Sequence, residues 1–241
     1  YPTCEKYELI LSDLIMSETY GSYQITKDDE GQNATLTTLT ENELLDCYVT
    51  VQSEYSALNY NDGLAMTAKA PVVRKFPLIP GIDFAGTVIS SDNSAFSTGD
   101  KVVLNGFGVG EVHSGGYSEI ARVKGEWLVP LPEGLTTMQA MAVGTAGYTA
   151  MLCVLALEKH GITPDSGNIL VTGAAGGVGS VAVSILNKLG YKVTAVTGRE
   201  SEHEYLKGLG ASDVIPRQPF SEKARSLSKE QCAVAINVAG G

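Results

Sequence analysis

The stretch Ile169–Ser180, ILVTGAAGGVGS, decides the fold of the C-terminal half. An apolar run of β-type residues enters a turn in which Gly173, Gly176 and Gly179 are spaced three apart. A helical segment, Val178–Leu189, follows, and a second apolar strand, Lys192–Val196, closes a βαβ unit of ordinary length. In such a unit the strand ends, glycines let the main chain approach a ligand closely, and the helix N-terminus faces an anion. The spacing therefore predicts a pyrophosphate cradle, lined by Gly173, Ala175, Gly176, Gly177 and Val178. The bland alternative is a glycine-rich turn that only packs a helix on a sheet.

Downstream, strands are expected at Asp213–Ile215 and Ala233–Val238, with a helix at His203–Leu209. Alternation of this kind predicts an α/β fold with a doubly wound parallel, Rossmann-type sheet. The second strand runs into Thr197–Gly198–Arg199. A fold selective for NAD usually places Asp or Glu there, whereas an arginine accommodates a 2′-phosphate, so NADPH is the expected cofactor. Arg217, after the third strand, is a second candidate contact, and Glu200 lies one residue beyond Arg199. The alternative for both arginines is plain solvated surface charge. The sequence stops at Gly240–Gly241 after a fourth strand, and a sheet of this order normally has two more. The expectation is an incomplete sheet, a piece of a longer protein.

Upstream the texture changes. From Gly21 to about Pro130, short strands are expected at Tyr23–Thr26, Tyr48–Ser53, Asp83–Ser90, Lys101–Leu104 and Tyr117–Val123. Turn-forming clusters such as Asp28–Gly31 and Ser114–Gly116 separate them, which suggests a compact barrel-like β domain. Two charge-free stretches, 136–157 and 167–187, are diluted by Gly, Ala, Ser and Thr and do not resemble a membrane span. The first reads as two helices, Thr136–Ala142 and Gly147–Lys159, with Gly161 as C-cap. Residues 1–15 lack the basic start and cleavage site of a signal peptide and are expected to be an extraneous or disordered leader, with Met16 a plausible start.

A net charge of −10 argues against nucleic acid and anionic membrane as partners, since both need a basic face. Cys4, Cys47, Cys153 and Cys232 are scattered, without a C-x-x-C pair, which fits a reducing cytoplasm and neither disulfides nor structural zinc.

Several motifs now converge. IPGIDFAGTV (79–88), SGGYSEIARV (114–123), WLVPLPEGL (127–135), the VTGAAGGVG turn and LGASDVI (209–215) follow one another as in medium-chain dehydrogenase/reductases, which this chain resembles over residues 20–241. ALNYND (57–62), NGFGVGEVHSGG (105–116), GTAGYTAMLC (144–153) and TGRESEHEYLKGLGA (197–211) look more specifically like the zinc-free acrylyl-CoA reductase and quinone oxidoreductase branch. The resemblance implies a GroES-like catalytic β domain, expected over 16–143, and a dinucleotide-binding domain over 144–241. It also implies a homodimer of the longer protein.

Zinc-dependent relatives place Cys where this sequence has Asn59, and Gly-His-Glu where it has Gly81–Ile82–Asp83. Asparagine and isoleucine supply neither thiolate nor imidazole, so no metal is expected. Asn59, Tyr60 and Asp62 occupy the position that faces the nicotinamide in the family. On that resemblance Tyr60 lines the nicotinamide site and helps orient substrate or deliver a proton. Asn59 donates to a substrate carbonyl, and Asp62 holds the loop. The alternative for Tyr60 is a buried structural tyrosine. Lys69, Arg74 and Lys75 form a basic group that either meets the phosphates of a CoA thioester or is merely solvated. The expected activity is NADPH-dependent reduction of a short enoyl-CoA, with a quinone or 2-alkenal reductase and a non-catalytic nucleotide-binding fragment as alternatives.

Overall fold

The computed structural model describes residues 19–40, 49–218 and 232–238. The expected leader, 1–15, lies outside them. The chain divides into two compact units, Tyr1–Thr145 and Ala146–Gly241, close to the boundary expected at 143/144.

In the first unit, β1 (Thr19–Asp28) and β2 (Gly31–Thr40) form an antiparallel hairpin. The Asp28 carboxylate accepts the amides of Glu30 and Gly31 and so sets the turn. Then come β3 (Val49–Tyr55), α1 (Tyr60–Thr67), β4 (Asp83–Ser91), β5 (Lys101–Asn105), β6 (Ile120–Val123) and β7 (Val129–Pro130). The last five strands make an antiparallel sheet in the order β6-β3-β4-β5-β7. Its core is built from alternate residues that face inward, Val49, Val51, Phe84, Val88, Val102 and Leu104 among them.

Two expectations need correction here. The strand expected over Tyr117–Val123 begins only at Ile120. Residues 117–119 instead bond to β1, through Tyr23 N–H to Tyr117 O and Glu119 N–H to Gly21 O. The strand β2 was not expected at all. Its sequence, GQNATLTTLT, buries only Leu39, so it carries no hydrophobic alternation to read.

The two helices expected over Thr136–Ala142 and Gly147–Lys159 are present as the two arms of α2 (Thr137–Lys159), which the non-helical Gly144 (φ 53°, ψ −163°) divides. Length and composition alone would let α2 cross a membrane. The break leaves 137–143 and 145–159, each shorter than the roughly 20 residues that a span needs.

The second unit contains β8 (Ile169–Thr172), α3 (Gly177–Lys188), β9 (Val193–Thr197), α4 (His203–Gly208), β10 (Asp213–Pro216) and β11 (Val234–Asn237). The four strands are parallel in the order β10-β9-β8-β11. This matches the 3-2-1-4 part of the dinucleotide-binding order, and it puts the reversal of strand order between β8 and β11. Every residue of β9 is buried, as a central parallel strand covered on both faces requires. Helix α3 buries Gly179, Ala182, Val183 and Leu186, one stripe at helical spacing, in a core with Ile169, Val171 and Val193.

Candidate active site

In the first unit the polar residues gather around the loop between β3 and α1. Asn59 is the N-cap of α1 (φ −109°, ψ 158°) and forms a capping box with Asp62. The Asn59 amide N–H donates to Asp62 Oδ2 at 2.9 Å, and Ile82 N–H donates to Asp62 Oδ1 at 3.0 Å. Both carboxylate oxygens of Asp62 are thus committed to main-chain donors. Burial pushes the Asp62 carboxyl above its ordinary value, and these hydrogen bonds only partly oppose it.

Asp83, at the start of β4, is completely buried. Its Oδ1 accepts Ala57 N–H at 3.0 Å. Its Oδ2 accepts Asn59 Nδ2 at 3.0 Å, Thr145 N–H at 2.9 Å and Thr145 Oγ1 at 2.7 Å. Gly144 sits against this carboxylate; a Cβ there would lie 3.4 Å from Asp83 Oδ2 and 3.0 Å from Ala57 Cβ. Tyr117 closes the cluster by donating its hydroxyl to Ala57 O at 3.1 Å. Burial, with Asp62 beside it, pushes the Tyr117 phenol upward, so it stays a proton donor. Sequence reasoning missed Asp83, Thr145 and Tyr117 as organisers of this loop. The one available signal was an acid opening the otherwise apolar strand DFAGTV.

Tyr60, by contrast, is 83% exposed at the first residue of α1, so the alternative of a buried structural tyrosine does not hold. Lys69, Arg74 and Lys75 are exposed on the segment after α1, where Arg74 N–H donates to Glu111 O. Among the described residues no group of three His, Cys, Asp or Glu side chains is placed to hold a metal ion.

The second unit carries the glycine turn. Gly173 adopts φ 58°, and Gly176 N–H returns to Gly173 O at 2.9 Å. A Cβ on Gly179 would lie 2.4 Å from Gly173 O and 2.7 Å from Ala174 Cα, so only glycine lets α3 start this close to β8. Gly176 and Gly177 are exposed, and the first amides of α3, from Gly177 to Gly179, have no acceptor within the helix. A cradle of this kind fits a diphosphate. At the switch point, Thr172 Oγ1 donates to Asn237 Oδ1 at 2.6 Å and ties the ends of β8 and β11 together.

Arg199 reaches from the end of β9 to the turn, where Nη2 donates to Ala175 O at 3.3 Å. The same guanidinium lies 3.7 Å from Glu202 Oε1. Thr197, buried beneath it, accepts Arg199 N–H on Oγ1. Pairing of Pro216 with Thr197 brings Arg217 beside Gly198, where a Cβ would lie 3.9 Å from Arg217 Cβ. Arg199 thus meets the turn at Ala175, while Arg217 lies beside Gly198.

A β domain with a buried polar loop, followed by a 3-2-1-4 parallel sheet with a glycine cradle, is the domain succession of the alcohol dehydrogenase type. Residues 46–133 match the alcohol dehydrogenase GroES-like domain. The chain is 57% identical over 207 residues to the "Probable acrylyl-CoA reductase AcuI" of Escherichia coli, covering 86% of this chain and 64% of that protein. It is 52% identical to the acrylyl-CoA reductase AcuI of Ruegeria pomeroyi, covering 92% of this chain and 68% of that protein. The crystal structure of the YhdH oxidoreductase from Salmonella enterica in complex with NADP superimposes with a TM-score of 0.89 at 52% identity, over 92% of this chain and 68% of that one. The chain belongs to the medium-chain dehydrogenase/reductase family, and it spans about two thirds of the length of these relatives.

Proposed function

We propose that the protein binds NADPH at the turn between β8 and α3 and reduces the activated C=C bond of a short enoyl thioester, acrylyl-CoA in the first instance. The observation that carries this reading is the position of Arg199, which donates to Ala175 O within the glycine turn while Arg217 flanks Gly198. A guanidinium at the diphosphate cradle, with a second arginine flanking Gly198, favours a coenzyme with an added phosphate on its adenosine ribose. The names of the two similar reductases and the NADP complex of a third similar protein support the same substrate and cofactor.

When bound, NADPH supplies the hydride, which adds to the β-carbon while a proton goes to the α-carbon. The chain's own residues polarise the thioester and hold its geometry. Asn59, oriented by Asp83, offers its second amide N–H to the thioester carbonyl, a task that a metal performs elsewhere in the family. Exposed Tyr60 lines the nicotinamide site and helps deliver the proton. Asp62 acts by fixing the loop. The full-length protein is proposed to work in the cytoplasm as a homodimer.

Stopped-flow oxidation of NADPH with acrylyl-CoA, crotonyl-CoA and quinones tests the reading, and acrylyl-CoA is expected to react fastest. A charge-assisted hydrogen bond is worth roughly 1.5–3 kcal/mol, so Arg199→Ala shifts preference towards NADH by about ten- to a hundredfold. An unchanged ratio removes Arg199 from the argument. Rapid quinone reduction without thioester reduction overturns the substrate assignment, and NADPH binding without any turnover leaves only a nucleotide-binding protein.

A further inference from the structure

A groove of about 500 Å³ runs over the first unit between the β1–β2 hairpin and the loop that leads to Asn59. Tyr23 and Leu36, directly opposite each other on the hairpin, form one wall. Ser56 and Leu58 contribute the loop side, with Tyr117 and Glu119 completing the lining. Leu36 is 70% exposed and Leu58 83%, a notable amount of apolar side chain left open to water. Leu58 immediately precedes Asn59, so the groove ends within one residue of the amide assigned to the thioester carbonyl.

Size and chemistry narrow the occupant. Sites for drug-sized ligands run to roughly 300–1,000 Å³, and a three-carbon acyl group fills only a small part of this groove. The lining residues include no cation among the described residues, so phosphates have no partner there. Its charged group is the Glu119 carboxylate, whose Oε2 accepts Gly21 N–H at 2.7 Å and whose other oxygen remains an acceptor. A ligand suited to such a surface brings N–H or O–H donors spaced by apolar carbon. A quinone brings only acceptors, which the carboxylate repels.

We propose that this groove binds the pantetheine arm of the thioester substrate: its amide N–H groups meet Glu119, and its methylene and methyl carbons lie against Tyr23, Leu36 and Leu58. The inference rests on the enoyl-CoA reading above and deepens it. The test compares kcat/KM for acryloyl-pantetheine and for S-ethyl thioacrylate, which lacks the arm, in the full-length wild-type protein and in Leu36→Glu and Glu119→Gln. Both positions are exposed, so thermal melts of the variants should overlay the wild type. In the wild type the arm is expected to raise kcat/KM at least tenfold, and each variant should lose about tenfold of that advantage, because polar groups facing a mismatched ligand are left unpaired. In Glu119→Gln one acceptor becomes an N–H donor, so turnover of a small quinone should rise. If the advantage is absent in the wild type or survives in both variants, the groove assignment is overturned while thioester reduction stands. If the wild type reduces quinones and neither thioester, the enoyl-CoA reading fails and takes the groove with it.

Discussion

Asp83→Asn is the sharpest test of how the β-domain site is held. The substitution keeps shape and volume. Its oxygen can stay at the Oδ2 position and accept from Asn59 Nδ2, Thr145 N–H and Thr145 Oγ1. Its new NH₂ group then faces the N–H of Ala57, at a site where donor and acceptor are now 3.0 Å apart. Leaving that amide without an acceptor costs about 1–3 kcal/mol, and the other three bonds each lose their charge assistance, about 1 kcal/mol apiece. Relief from burying a charge offsets part of the loss, so a net destabilisation of about 2–4 kcal/mol is expected. For a unit of this size that corresponds to a drop in Tm of about 5–15 °C, measurable by calorimetry. Asp83→Ala strands every donor and should cost more than the Asn variant. Thr145→Val supplies the control: it removes one donor, and the 83/145 double-mutant cycle should return a coupling of about 0.5–3 kcal/mol. A Tm for Asp83→Asn within about 1 °C of wild type would refute the claim that this carboxylate clamps the loop.

Further predictions concern the other polar positions. Gly179→Ala drives a Cβ into the Gly173 carbonyl, so NADPH affinity measured by fluorescence titration should fall at least a hundredfold; Gly208→Ala, with open space around it, should be neutral or stabilising by up to about 1 kcal/mol. Tyr60→Phe should leave stability within about 0.5 kcal/mol, given its exposure, yet lower kcat/KM for acrylyl-CoA at least tenfold; equal rates would remove the hydroxyl from proton delivery. Asp62 gives a pH signature. Its folded value is raised above 3.8, so the native state holds the proton longer and stability falls as pH rises through that window. The stability advantage of wild type over Asp62→Asn should therefore shrink between 3.8 and the raised folded value; an advantage that grows with pH contradicts the assignment.

How much of this was legible depended on how far apart in sequence the partners lie. The strand Ile169–Thr172 and the turn after it were readable because a strand, three glycines and a helix start sit within one short window. The end of β9 was readable for the same reason, although the strand runs from Val193 to Thr197 rather than one residue earlier. The Asp83 cluster was not. Its partners are 24, 26 and 62 positions away, and nothing local marks an acid as buried or says which amides it will meet. The strand β2 failed differently, since its pairing depends on backbone bonds and on a single buried side chain, Leu39.

The same contrast predicts different responses to substitution in the nucleotide turn of the second unit and the polar loop of the first. The nucleotide turn is built from main-chain approach, so its tolerance is set by sterics at single positions such as Gly179. The β-domain loop is built from side-chain acceptors. Where zinc-dependent relatives carry a thiolate and the acid of a Gly-His-Glu triplet, this chain has Asn59 and Asp83, joined directly by a 3.0 Å hydrogen bond. That bond fixes the amide plane, and with it the direction in which the remaining N–H of Asn59 is offered. A donor held in one direction by a buried carboxylate needs no reorganisation when charge develops on a substrate oxygen, which is the condition under which a hydrogen bond polarises most effectively. Loss of Asp83 should therefore lower kcat for thioester reduction more than it raises KM, because the Asn59 amide would remain in place but no longer be aimed.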